Sequence, residues 1–234
     1  GGDRYRVVEE SEYCGLTGRC CCNPNHELKL HVYAPAEVSS SEEAMVFDRP
    51  CKCGQCCACF NICRQEMIAY DRTRNQVGYI RQPFMGGGFS PKLQVMERDG
   101  EDPYATIEST AFCCIAGLCC DHTFVVKDPT GNEIGRIVKQ KPSNFQELAT
   151  ELASDADVFA IEFQKDLAVD KKATLFGALY LIDYMFFENE GEGKVDLVNQ
   201  QCSFKCCDLY CCGCTCPCHC SCGGGGGDED GGGD

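Results

Sequence analysis

Ala173-Thr-Leu-Phe-Gly-Ala-Leu-Tyr-Leu-Ile-Asp-Tyr-Met-Phe-Phe187 is the longest nearly unbroken apolar run in the chain. As a helix it rises roughly 22 Å, short of the ~30 Å hydrocarbon core that about 20 residues would cross. Asp183 lies inside it, and an unpaired carboxylate in lipid is costly. The run is therefore read as a buried helix rather than a membrane span, with Asp183 needing a partner inside the fold. Other parts of the chain must supply the wall around it.

That wall is visible as a repeat. Lys29-Leu30-x-Val32 returns as Lys92-Leu93-x-Val95, and Phe47-Asp48 returns as Ile107-Glu108. Asp71…Asn75-x-Val77-Gly78-x-Ile80 returns as Asp128…Asn132-x-Ile134-Gly135-x-Ile137, and a cysteine block follows the second member in each copy. Period-2 alternation between polar turns marks each copy as a β-meander. Strands are expected over His26–Tyr33, Ala44–Phe47, Glu66–Tyr70 and Val77–Arg81, with Asp71 to Gln76 turning the chain. Two such units point to a closed antiparallel barrel or sandwich.

The net charge of −15 excludes an electrostatic nucleic-acid binder and argues against simple attraction to an anionic leaflet. Gly1 to Glu10 carries charges with no apolar region after them, unlike a secretion signal. The 24 cysteines fall in four groups, at 14–22, 51–63, 113–120 and 202–222. Adjacent pairs such as Cys56-Cys57 and Cys119-Cys120 rarely bridge, so reduced thiols are expected, either lipidated or bound to soft metal. Beyond the meanders, Ser143-Asn144 caps an expected helix over Phe145–Ala153. Val158–Phe163 reads as a strand and Asp166–Asp170 as another. Residues 1-25 are expected as a cysteine-containing lead, 26-190 as the barrel domain with its helix at 173-187, and 191-234 as a flexible Cys-rich and Gly/acidic tail.

Three constellations carry chemistry. Cys51-x-Cys53-x-x-Cys56-Cys57-x-Cys59-x-x-x-Cys63 suits S-acylation, where several chains hold a protein on a bilayer, or a zinc or copper site. Asp155-x-Asp157-x-Phe159-x-Ile161-x-Phe163-x-x-Asp166 puts carboxylates at the first, third and twelfth places of a calcium loop. The competing reading is a core strand with inward phenylalanines, since the fifth and ninth places are Phe. Cys212, Cys214, Cys216, Cys218, Cys220 and Cys222 alternate as in soft-metal thiolate tails, or offer further acylation sites. His26, His31 and His122 are expected at surfaces or edges. Gly86-Gly87-Gly88 precedes Phe and Pro rather than a helix, so no phosphate loop is expected.

Arg49-Pro50…Cys53-x-x-Cys56-Cys57-x-Cys59, Gly78-Tyr79-Ile80, Cys113-Cys114…Cys119-Cys120-Asp121, Asp155-Ala-Asp-x-Phe159-x-Ile-x-Phe163 and Leu181-Ile182-Asp183-Tyr-Met-Phe-Phe-Glu188 together resemble the phospholipid scramblase family. The resemblance runs from Leu28 to Glu188. It implies a mainly β, tubby-like fold: a closed antiparallel barrel of about twelve strands, built from the two tandem meanders, enclosing the C-terminal hydrophobic helix. It also implies calcium-activated, ATP-independent, bidirectional phospholipid movement at the cytoplasmic face of the plasma membrane, a translocator rather than a chemical catalyst. By position, Asp155, Asp157, Phe159, Ile161, Phe163 and Asp166 match the family's calcium segment, with Ala160 where the family has Gly. Cys56, Cys57, Cys59 and Cys63 match its palmitoylated block. The family's Pro-rich docking region has no match in this sequence. Membrane phospholipids are the expected partners, and homo-oligomers one route to scrambling. The alternatives are a membrane-tethered adaptor or lipid-binding barrel, or a thiol-rich metal-binding protein holding zinc.

Overall fold

The computed structural model describes residues 5–10, 27–34, 43–52, 57–111, 114–115, 121–140, 158–187, 194–196 and 201–223. Ten strands form one antiparallel sheet: β1 (Arg6–Glu10), β2 (Leu28–Tyr33), β3 (Glu43–Arg49), β4 (Glu66–Asp71), β5 (Gln76–Arg81), β6 (Lys92–Met96), β7 (Ala105–Ser109), β9 (His122–Lys127), β10 (Glu133–Gln140) and β11 (Val158–Phe163). Each pairs with the next in the order given, so the connections alternate between two ends of the sheet. The short β8 (Cys114–Ile115) joins a second sheet with β12 (Lys194–Asp196), β13 (Gln201–Cys211) and β14 (Cys214–Gly223). The helix α1 spans Val169–Phe186.

The duplication is realised strand for strand. β2 to β5 correspond to β6, β7, β9 and β10, with alternating burial such as Leu28, Leu30 and Val32 inward on β2. The two matching hairpins close on the same side-chain device. Asp71 Oδ1 accepts from the Thr73 and Asn75 backbone amides, each at 2.8 Å, and from Thr73 Oγ1 at 2.7 Å. Asp128 Oδ1 accepts from Thr130 N and Asn132 N, each at 2.9 Å, and from Thr130 Oγ1 at 2.6 Å. These bonds stabilise the ionised carboxylates and hold both acids below their ordinary range. The threonines escape the sequence reading, which matched only Asp and Asn.

The sheet curls about α1. The helix packs on β4 and β5 near mid-sheet and on β11 at one edge, while Tyr184 Oη donates to Glu9 of β1 at the other edge, 3.2 Å away. Leu175, Ala178, Leu181 and Ile182 are fully buried in one cluster with Leu28, Phe47, Met67, Ile80, Val95, Ile107 and Ile137. Burial of each large aliphatic side chain contributes about 1.5–3 kcal/mol. Ten strands stand in place of the expected twelve, and no ladder joins β1 to β11 among the described residues.

Other expectations are corrected. The helix starts at Val169, not Ala173, and the expected strand 166–170 is instead a turn leading into its first residues, where Asp170 suits the positive end of the helix dipole. Residues 194–196 and 201–223 of the expected flexible tail contribute β12 to β14. Their alternating cysteines carry the two-residue period of a strand. The expected helix at 145–153 lies outside the described residues. Asp183 is half-buried, and its charge helps raise the Tyr180 phenol above its ordinary value after burial itself.

Candidate functional site

Strand alternation sorts the chain chemically. The connections after β1, β3, β5, β7 and β10 leave one end of the main sheet, and the segment after α1 starts from that same end. All 24 cysteines fall in these connections or in that final segment. The turns at the opposite end carry no cysteine and are rich in carboxylates, including Glu97, Asp99, Glu101, Asp102, Asp128 and Asp166.

Three segments meet at the thiol end. The β13–β14 turn, Cys212 and Gly213, has positive φ at both residues (53° and 93°), the backbone of a tight two-residue hairpin. Ala58 N donates to Cys212 O and Cys212 N to Gly88 O, both at 2.7 Å, and Met85 N donates to Ala58 O at 3.0 Å. A Cβ on Gly213 would stand 2.5 Å from the Ala58 Cβ, so only glycine allows this approach. The hairpin is thereby stitched to the β3–β4 loop and to the β5–β6 turn.

Sulfur concentrates at the junction. The Cys57 and Cys59 Sγ atoms lie 2.7 Å apart, and the Cys59 thiol points to Met85 Sδ at 3.1 Å. The Cys57 hydrogen bond, then burial, then the nearby Cys57, Cys212 and Cys214 sulfurs push the Cys59 thiol up to about 11. Thiolate formation is therefore disfavoured at Cys59. Cys51, Cys211 and Cys216 are exposed, whereas Cys57, Cys212, Cys214 and Cys218 are intermediate. Cys63, expected as an acyl acceptor, is buried, so a chain attached there has no room unless the loop moves. Cys56 lies outside the described residues, as do the side chains of Cys220 and Cys222. Among the described residues, no group of three or more His, Cys, Asp or Glu side chains has a geometry to hold a metal ion.

Beneath the junction lies a buried polar layer. Arg49 Nη2 donates to Gln65 Oε1 at 2.9 Å, Gln65 N to Gln82 Oε1 at 2.9 Å, and Gln82 Nε2 to Tyr210 Oη at 3.4 Å. Tyr210 Oη in turn donates to Gly86 O at 2.7 Å, and its ring meets that of Phe186. Tyr210, wholly buried, is thus the bolt between hairpin and core. Tyr210→Phe is expected to cost about 1–2 kcal/mol, because the Gly86 carbonyl loses its donor inside the protein. Faster hydrogen exchange at Ala58, Met85 and Cys212 than in the wild type is the check.

His122, expected at a surface or edge, sits in the same layer. It is buried against Phe124 and Phe187, with its Nε2 3.0 Å from Ser109 Oγ. Burial first, and the Lys139 charge second, lower its pKa to about 4. Lys139 is itself fully buried, its Nζ 4.6 Å from the Phe187 ring centroid.

Within the expected calcium segment, residues 158–163 form a strand rather than a loop. Phe159, Ile161 and Phe163 lie in β11, partly buried against the core, and the Phe159 ring packs on Phe187. Asp155 and Asp157 are outside the described residues but precede β11, while Asp166 follows it. A six-residue strand spans roughly 17–20 Å, far beyond the ~2.4 Å reach of a calcium ligand.

The scramblase family model matches residues 3–189, and the chain belongs to that family. It is 31% identical to phospholipid scramblase 1 of Mus musculus, over 80% of this chain and 52% of that protein. It is also 31% identical to phospholipid scramblase 2 of Bos taurus, over 79% of this chain and 57% of that protein. Phospholipid scramblase family member 5 of Homo sapiens matches at 31%, over 81% of this chain and 64% of that protein. The chain spans about half the length of the first two of these relatives. No solved structure matches.

Proposed function

We propose that this chain is a membrane-tethered phospholipid scramblase, moving lipids between leaflets in both directions without ATP and without chemical catalysis. Membership of the scramblase family is the observation that carries this reading. The tether is S-acylation at the thiol end, with Cys56, Cys57 and the exposed Cys51 as acceptors. Acylation at Cys59 needs its proton drawn off first. A plasma-membrane location at the cytoplasmic face, and closure of the ten-strand sheet into a tubby-like barrel around α1, belong to the same reading.

No helix among the described residues is long and apolar enough to cross a membrane, and α1 is occupied as core. A path for polar headgroups through one such helix has no lining. Scrambling therefore acts by disturbing the bilayer next to the docked protein, alone or as oligomers. The same packing favours the second reading, a tethered lipid-binding barrel that moves no lipid.

Calcium activation is part of the proposal, with the ion held ahead of β11 by Asp155 and Asp157 and without Asp166. The experiment is flip of a labelled lipid in liposomes holding the purified chain. Calcium-dependent flip above empty liposomes is expected. Asp155→Asn with Asp157→Asn should raise the calcium requirement at least tenfold, and Asp166→Asn should leave it unchanged. Bound protein that moves no label would leave the lipid-binding reading.

A further inference from the structure

The thiol end has a second property that lipidation does not require. Phe60 and Ile62 of the β3–β4 loop are 67% and 66% exposed, and Phe84 and Phe89 of the β5–β6 connection 67% and 53%. Leu209 on β13 is 47% exposed, while its neighbours Asp208 and Tyr210 on the other face of the strand are buried. The backbone bonds among Ala58, Met85, Gly88 and Cys212 gather these three segments into one surface. Five large apolar side chains held open together mark an interaction site rather than scattered exposure.

Charge says what covers it. Segments 57–64, 83–91 and 209–218 contain no acidic residue and one basic residue, Arg64, in a protein with 36 acidic residues. Those carboxylates repel an anionic leaflet wherever they face it, and the connections after β1, β7, β10 and α1 that leave this same end also carry some, so the acid-free area is confined to these three segments. The acid-free surface is therefore the one an acidic protein can lay on a bilayer, and its loops present Phe, Ile and Leu to acyl chains.

We infer that this end of the sheet docks directly on the bilayer, with Phe60, Ile62, Phe84, Phe89 and Leu209 inserted, whether or not any cysteine is acylated. The inference rests on the scramblase reading for the choice of a lipid surface over a protein partner. It puts α1 upright above the membrane with its C-terminal end downward. It also puts the 51–63 and 202–222 cysteine groups on one side of the bilayer, because the hairpin that follows the helix is hydrogen-bonded to the loops that precede it.

The test uses full-length chain made without acyltransferases, kept reduced, and sedimented with phosphatidylcholine vesicles, with and without added phosphatidylserine. The unacylated protein is expected to bind both, and to keep its binding to phosphatidylcholine in high salt. Phe60→Ser with Phe84→Ser should lower partitioning at least tenfold, as expected for removing two largely exposed aromatic anchors. Val169→Ser, 79% exposed at the far end of α1, should change it less than twofold. Wild-type protein that stays in the supernatant, or equal loss from both variants, overturns the inference. So does a patch variant that binds vesicles normally but has lost self-association in sedimentation velocity, which would assign the surface to a second copy. Label flip in the same vesicles is scored separately: bound protein with no flip overturns scrambling and leaves the docking face standing.

Discussion

Gly78→Val is expected to lower stability by about 3 kcal/mol or more, enough to unfold much of the population of an ordinary domain. A Cβ at Gly78 would stand 1.9 Å from Thr174 Oγ1, 2.4 Å from its Cγ2 and 2.6 Å from its Cβ. Gly78 lies on β5 and Thr174 in the second turn of α1, so here the Thr174 side chain fills the space a β5 side chain would need. Thr174 has little freedom to yield: it is fully buried, and its Oγ1 donates to Asp170 O at 2.8 Å. On the other side of the helix contact, a Cβ on Gly177 would stand 2.8 Å from the Phe47 ring. Gly78→Ala should be milder, and Thr174→Ala should recover part of that loss, since it removes the two nearest atoms. Urea midpoints for the two single variants and the double give the coupling directly. Additive losses would mean that the helix shifts as a body instead of clashing at this point.

The second large effect is a loss of stability between pH 6.5 and pH 4, carried by His122. Its folded pKa of about 4 lies below the 6.5 of an unfolded histidine. Between those values the unfolded chain binds more protons, so stability rises with pH across the window and levels off above it. Taking the protein from pH 7 to 4.5 should remove roughly 2–3 kcal/mol through this one imidazole. His122→Gln keeps a polar group near Ser109 but cannot titrate, so its stability should be nearly flat over that interval. Both proteins should weaken at lower pH, where Asp71, Asp128 and Glu108 take up protons, because each is held below its ordinary pKa by hydrogen bonds. Denaturant midpoints at pH 4.5, 5.5 and 7 separate the two regimes. Parallel curves for wild type and variant would move the effect to another group.

The duplicated meander is legible in the sequence because its signals are local. Alternation sets the strands, and Asp71 with Asn75, like Asp128 with Asn132, marks the turns. The buried helix is legible too, although its first turn, Val169 to Lys172, is disguised by polar residues. Convergence of the cysteine groups at one end follows from strand direction, a consequence of the meander that composition alone does not reveal. The β13–β14 hairpin is hidden because Cys at every second residue reads as metal or lipid chemistry before it reads as a strand. His122 is misplaced for a different reason. Its ring is covered by Phe187, distant in sequence just past α1, and it faces Lys139 across the β9–β10 ladder. Asp157 and Asp166 are nine positions apart, close enough to suggest a loop, but the extended strand β11 lies between them.

The sheet adds its strands in strict sequence order, but the helix that fills it is encoded after all ten. On the ribosome, β4 and β5 are therefore finished roughly 100 residues before α1 emerges, a wait of about 5–20 s at ordinary synthesis rates. Throughout that interval Met67 and Ile80 face an empty interior, joined in turn by Val95 and Ile107 as β6 and β7 are made. The nascent chain thus exposes its inner apolar face until nearly the end of synthesis. A message truncated before Val169 should give not a smaller working protein but an open sheet, and a substrate for chaperones or aggregation.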